Sequence, residues 1–239
     1  HWPYSSTARD ELACSGESPD SLHSNCSGKH AGMLAVCQKN DWPFESYIDA
    51  KHPLQQRIHD IVATLCRAKS TPLPHSIDGC SLPTYWVPMR GLAYMYAALA
   101  HPKGAPALEQ RVIAEELALL FKAGTRHPEM VAGKGFFDTR LMASFNGRLF
   151  AKGGAAGVYA IAVAPTDAFP RGLGIAFKVE DGDGDARARP VIACDILRQL
   201  EIEPDKSSSA ETLDQLAGAS IVNVRGLSVG AYRTVFKLR

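Results

Sequence analysis

The chain has 239 residues, a net charge of +1, and hydrophobic and charged fractions of 46% and 21%. That is ordinary globular composition, with length enough for one large domain or two small ones. It carries no basic block and no acidic tail, so neither nucleic acid nor a membrane surface is an expected partner. No apolar run approaches the roughly 20 residues of a membrane span, and no secretory signal pattern is seen. The six cysteines (14, 26, 37, 66, 80 and 194) lack framework spacing. Scattered in this way, they predict reduced thiols and a cytoplasmic setting.

Residues 1–24 are rich in Ser, Pro, Asp and Glu around His1-Trp2-Pro3-Tyr4 and read as a surface connection. Next comes Asn25-Cys26-Ser27-Gly28-Lys29-His30-Ala31-Gly32-Met33, which sets a thiol, a hydroxyl, an ammonium and an imidazole within five positions. The apolar run Met33–Val36 follows, so the stretch reads as a polar turn entering a buried helix that starts near Ser27. Ser27 is the expected capping group. Cys26 and Lys29 are then three residues apart, and Cys26 and His30 four, spacings that share one helix face. The helix is expected to end around Gln38–Asn40.

Pro53 is placed to open a second helix, in which Leu54, Ile58, Ile61, Val62, Leu65 and Cys66 recur at helical spacing. Cys66, like Cys194 later, reads as a core residue. Ile77-Asp78-Gly79-Cys80-Ser81-Leu82-Pro83 is a second polar turn, with Gly79 expected to take the unusual backbone conformation. Helices are predicted over residues 91–100 and 107–122, the second with a stripe of Leu108, Val112, Ile113, Leu117, Leu120 and Phe121. Residues 126–135 read as a loop, and Asp138 as the cap of a short helix. The period then changes to two, and residues 147–151, 158–164 and 173–180 read as an antiparallel meander. The run Asp181-Gly182-Asp183-Gly184-Asp185 lacks the closing acidic ligand of a calcium loop and reads as a turn. A helix over 187–199, a short one over 211–216 and extended segments at 221–224 and 231–238 complete the chain. A single domain over residues 1–239, helices first and sheet last, is the simplest organisation.

Two groups of residues bear on chemistry. Lys152-Gly153-Gly154 sits where a strand meets a loop, as a K-T-G triplet does in penicillin-binding serine hydrolases. There the lysine supplies positive charge and glycine leaves room for substrate along the strand. No lysine has a serine three residues before it, so no S-x-x-K pair is found. The second group is a thiolate metal site. Cys26 and Cys80 are soft ligands that suit zinc, and Asp78 is a natural acceptor behind them. For the third ligand both Lys29 and His30 stand within reach, and chemistry alone prefers the neutral imidazole.

The combination of Asn25–Met33, His52-Pro53, Asp78-Gly79-Cys80, Pro128-Glu129, Val131-Ala132-Gly133, Asp138-Thr139 and Lys152-Gly153-Gly154 resembles the L-asparaginase II family of the rhizobial type, from His1 nearly to the C-terminus. The resemblance implies an α/β (α+β) fold like that of serine β-lactamases and glutaminases, an antiparallel sheet with flanking helices. It implies hydrolysis of L-asparagine to aspartate and ammonia, a homodimer, and zinc held by Cys26, Lys29 and Cys80, with Asp78 and His30 around it. It therefore favours Lys29 over His30 as the third ligand. It also places Lys152 in a catalytic serine–lysine constellation. The family's nucleophilic segment precedes the region where this chain starts, so the chain is expected to be N-terminally incomplete. The alternatives are a catalytically silent zinc-binding domain and a glutaminase or β-lactamase-like hydrolase.

Overall fold

The computed structural model describes residues 1–68, 72–104, 111–184, 186–207 and 209–238, without the side chains of residues 111 and 112. They form two compact units, His1–Thr64 with Ala68–Val87, and Leu65–Arg67 with Pro88–Arg239. No described helix is long and apolar enough to cross a membrane. None of the six cysteines, all of them described, is joined in a disulfide.

The first unit opens with helix α1 (Ser6–Cys14), where a surface connection is expected from composition. The Ser5 hydroxyl caps it by accepting the Ala8 N–H at 3.3 Å. Helix α2 (Ser27–Asn40) starts and stops as predicted, but it is not a buried helix. Cys37 is its one buried residue and Val36 is 42% exposed. Nor does Ser27 cap it: Cys26 occupies the cap position without a side-chain bond, and the Ser24 hydroxyl accepts the Cys26 N–H. Helix α3 (Pro53–Leu65) is opened by Pro53 as predicted. The buried His52 imidazole fastens that end. Its Nδ1 accepts the Leu54 N–H at 3.1 Å, and its Nε2 donates to the Pro43 carbonyl at 3.0 Å. Strands β1 (His75–Ile77) and β2 (Pro83–Tyr85) then form an antiparallel hairpin.

The second unit is built on an antiparallel sheet of β3 (Leu149–Gly153), β4 (Val158–Val163) and β5 (Leu173–Lys178), paired in chain order as the meander pattern predicts. Alternation sorts the side chains. Leu149, Ala151, Tyr159, Ile161 and Val163 point to one face. There they pack on Leu141 and Met142 of helix α7 (Phe137–Ser144), on Phe145 just beyond it, on helix α8 (Ala188–Gln199) and on the short helix α9 (Leu213–Ala217). Ala160, Ala162, Gly174 and Ala176 occupy the other face, and helix α4 (Met89–Ala100) packs against β4 and β5. These small residues allow a close approach, since a Cβ on Gly174 would lie 1.9 Å from the Ala93 carbonyl oxygen. Strand β4 is covered on both sides, which accounts for its unbroken apolar run.

Helix α5 (Arg111–Arg126) begins after residues 105–110, so Leu108 of its predicted stripe lies outside the described residues, as does the Val112 side chain. Leu117 is buried, but Leu120 is 60% exposed. The segment read as a loop contains the short helix α6 (Pro128–Ala132), and the Thr139 hydroxyl donates to the Gly133 carbonyl beyond it at 2.6 Å. Residues 181–184 of the acidic run form a turn as expected, Asp185 lying outside the described residues. Asp183, nearly buried within it, accepts the Ala188 and Arg189 N–H groups at 2.8 and 3.0 Å and so fastens the start of α8. A second hairpin, β6 (Ser220–Val222) with β7 (Ser228–Ala231), lies near the C-terminus; β6 overlaps the predicted 221–224 segment, whereas β7 lies ahead of the predicted 231–238 segment and shares only Ala231 with it.

Candidate active-site residues

In the first unit the structure brings together residues 51 positions apart. The Lys29 ammonium donates to Cys80 Sγ at 3.3 Å, and the Cys80 thiol faces Asp78 Oδ2 at 3.6 Å. Cys26 completes the group, its thiol near enough to Lys29, Cys80 and Asp78 for all three charges to act on it. Local geometry explains the meeting. Helical spacing puts Lys29 one turn beyond Cys26. The hairpin between β1 and β2 presents Cys80 at its tip, where Ser81 N–H donates to Asp78 C=O and Asp78 N–H to Leu82 C=O, both at 2.8 Å. The left-handed residue of this turn is Ser81, with φ of 72°, and not Gly79. Asp78 Oδ1 accepts the Gly79 N–H at 2.8 Å, leaving Oδ2 toward the sulfur.

Burial pushes the Cys26 thiol up, the Lys29 ammonium pulls it back, and Cys80 and Asp78 push it up again; the net shift is upward. The Cys26 thiol therefore favours its protonated form, and a bound cation would have to displace that proton. Among the described residues no group of three or more His, Cys, Asp or Glu is placed to hold a metal ion. A metal at this cluster would take the Lys29 amine as third donor beside two thiolates, a sulfur and nitrogen set whose chemistry suits zinc. His30 is engaged elsewhere: its Nδ1 and the Tyr47 hydroxyl share a hydrogen bond of 2.6 Å, with the rings edge-on.

In the second unit Lys152 lies on edge strand β3, opposite Ala160 on β4. Its side chain is exposed, and Nζ donates to the neighbouring Gly153 carbonyl at 2.7 Å. Asp138 does not cap α7: Phe136 stands at that position. Instead Asp138 Oδ2 accepts the Gly153 N–H at 2.7 Å, and Arg189 Nη1 donates to the Gly154 carbonyl at 3.2 Å. Sequence patterns missed both contacts, because a carboxylate in the first turn of a helix carries the signal of a cap whichever amide it serves. A cleft of about 600 Å3 lined by Lys122, Arg126, Met142 and Asn146 contains neither Lys152 nor the thiols.

The family model described as L-asparaginase II matches residues 1–234. Comparison with curated proteins finds no match.

Proposed function

Because the chain belongs to the L-asparaginase II family, we propose that it serves the hydrolysis of the L-asparagine side-chain amide to aspartate and ammonia, on a fold of the serine β-lactamase kind. The observation that carries this reading is the family match over residues 1–234. An oxygen nucleophile adds to the amide carbon, the C–N bond breaks as ammonia leaves with a proton, and water then hydrolyses the acyl intermediate. In this proposal the exposed Lys152 ammonium supplies positive charge for the oxyanion and a proton for the departing nitrogen. Cys26, Lys29 and Cys80 would hold zinc, with Asp78 beside Cys80. Bound there, zinc would supply Lewis acidity and fix the α2 start against the β1–β2 turn. A cytoplasmic homodimer is part of the same proposal.

One observation favours a second reading, a catalytically silent zinc-binding domain. No lysine of this chain stands three residues after a serine, so the S-x-x-K serine expected to supply the attacking oxygen has no counterpart in this sequence. The two readings separate on ammonia release by the purified protein from asparagine and from glutamine, with nitrocefin as a control for β-lactam hydrolysis. Release from asparagine alone supports the first reading. Bound zinc with no release from either amide supports the second and ends the first. Turnover chiefly of glutamine or nitrocefin moves the substrate class and leaves Lys152 its role.

A further inference from the structure

Among the described residues strand β3 is an edge strand, bonded to β4 on one side only. Its outward amides would normally face water or an incoming extended chain. At the end that carries Lys152 they are taken by the protein itself. Asp138 Oδ2 accepts the Gly153 N–H at 2.7 Å, while Arg189 Nη1 donates to the Gly154 carbonyl at 3.2 Å. Arg189 is held in turn by the nearly buried Asp183, whose Oδ2 accepts from Arg189 Nε at 2.9 Å. A Cβ on Gly153 would lie 3.1 Å from Arg189 Nη1 and 3.5 Å from Asp138 Oδ2. A side chain at Gly153 would thus crowd the arginine while meeting Asp138 at ordinary contact distance, and the bare glycine leaves Arg189 room to close on the strand. On the inner side Gly154 N–H donates to the Val158 carbonyl at 2.8 Å, so the strand end is bonded from both sides.

We propose that Asp138 is a positioning residue for Lys152, clamping the Gly153 amide with Arg189 on the next carbonyl so that the lysine leaves a fixed strand end. The proposal rests on Lys152 acting in amide hydrolysis. Two buried phenols stand near the carboxylate. Burial first and the Asp138 charge second push Tyr96 up to about 12 and Tyr159 well above the ordinary phenol range. The Tyr159 hydroxyl is buried and has no partner at hydrogen-bonding geometry among the described residues. Asp138 is itself half-buried, where a charge-assisted bond to an amide is stronger than in open water. Losing that bond frees the strand end, and a displacement of about 1 Å at a reacting group costs up to about a hundredfold in rate.

The test compares wild type with Asp138→Ala, which removes the acceptor, and Asp138→Asn, which keeps a carbonyl oxygen at the same reach. Exchange of the Gly153 amide should accelerate by about tenfold or more in Asp138→Ala, while the Ile161 and Ala162 amides of β4 stay protected. With asparagine, kcat should fall about 10- to 100-fold, KM should change by less than about threefold, and Asp138→Asn should recover most of the loss. Unchanged exchange at Gly153, or an unchanged kcat despite faster exchange, overturns the proposal. If wild type releases no ammonia from asparagine or glutamine, the hydrolase reading falls separately. The clamp is then judged by Gly153 exchange and by the rate at which acetic anhydride acylates Lys152, read by mass spectrometry. That rate should shift in Asp138→Ala and return in Asp138→Asn; no shift overturns the clamp. Should the Ala variant not fold, Asp138→Ser, too short to reach the amide, takes its place with the same expected outcomes.

Discussion

Gly174→Ala is the sharpest single perturbation of the framework behind Lys152. The new methyl would sit 1.9 Å from the Ala93 carbonyl oxygen, 2.5 Å from the Ala97 nitrogen and 3.0 Å from the Ala93 carbonyl carbon. All three are backbone atoms of α4, so no side chain can swing aside. To relieve the closest contact the helix must withdraw from the sheet by about 1 Å, a gap that forfeits roughly a quarter to a half of each dispersion contact it opens. Overpacking of this kind costs about 3 kcal/mol or more where the obstacle is backbone. A matched control is Gly32→Ala in α2, where nothing lies within 4 Å of the added Cβ. There the same methyl should stabilise by about 0.5–1 kcal/mol through helix propensity alone. Urea denaturation followed by far-UV circular dichroism reads both. A Gly174→Ala protein within about 1 kcal/mol of wild type would refute the argument from close packing.

Four further outcomes are expected. Cys80→Ala and Lys29→Met should each strip zinc from the purified protein, read as metal per chain by plasma mass spectrometry; full retention in Lys29→Met would remove the amine from the ligand set. Chelation of the wild-type protein should weaken asparagine affinity or turnover, and if neither changes, zinc has no organising role. Lys152→Ala should lower kcat by about a hundredfold or more, and a kcat within tenfold of wild type would unseat Lys152 from the proposed role. Arg140, hydrogen-bonded to Glu211, holds that carboxyl below its ordinary value of 4.5. A depressed carboxylate adds stability above the unfolded value that is lost as pH falls through the lower folded one. Glu211→Gln should therefore flatten the loss of stability below about pH 4.5. The effect is small, under about 1 kcal/mol, since both side chains are roughly a third exposed.

Local rules decided much of this molecule. Period-two alternation located all three strands of the meander, and Pro53 marked the start of α3. Cys26 and Lys29 share the start of α2 by helical spacing alone. These features depend on neighbours a few residues away, so a single sequence carries them. The first helix escaped because a polar, amphipathically weak segment offers no apolar stripe, and the burial of α2 was overstated because Met33–Val36 form a run around the helix rather than a face.

What tertiary structure decided is the company each group keeps. Nothing in the spacing from Cys26 to Cys80 dictates that Lys29 Nζ lies 3.3 Å from Cys80 Sγ, or that His30 spends its imidazole on Tyr47. Asp138 carries the signature of a helix cap, yet serves an amide 15 residues onward, because the packing of α7 on β3 puts an unpaired edge N–H within its reach. Hydrogen-bonding groups take the nearest partner that burial leaves them, and which partner is nearest is fixed only when distant segments pack.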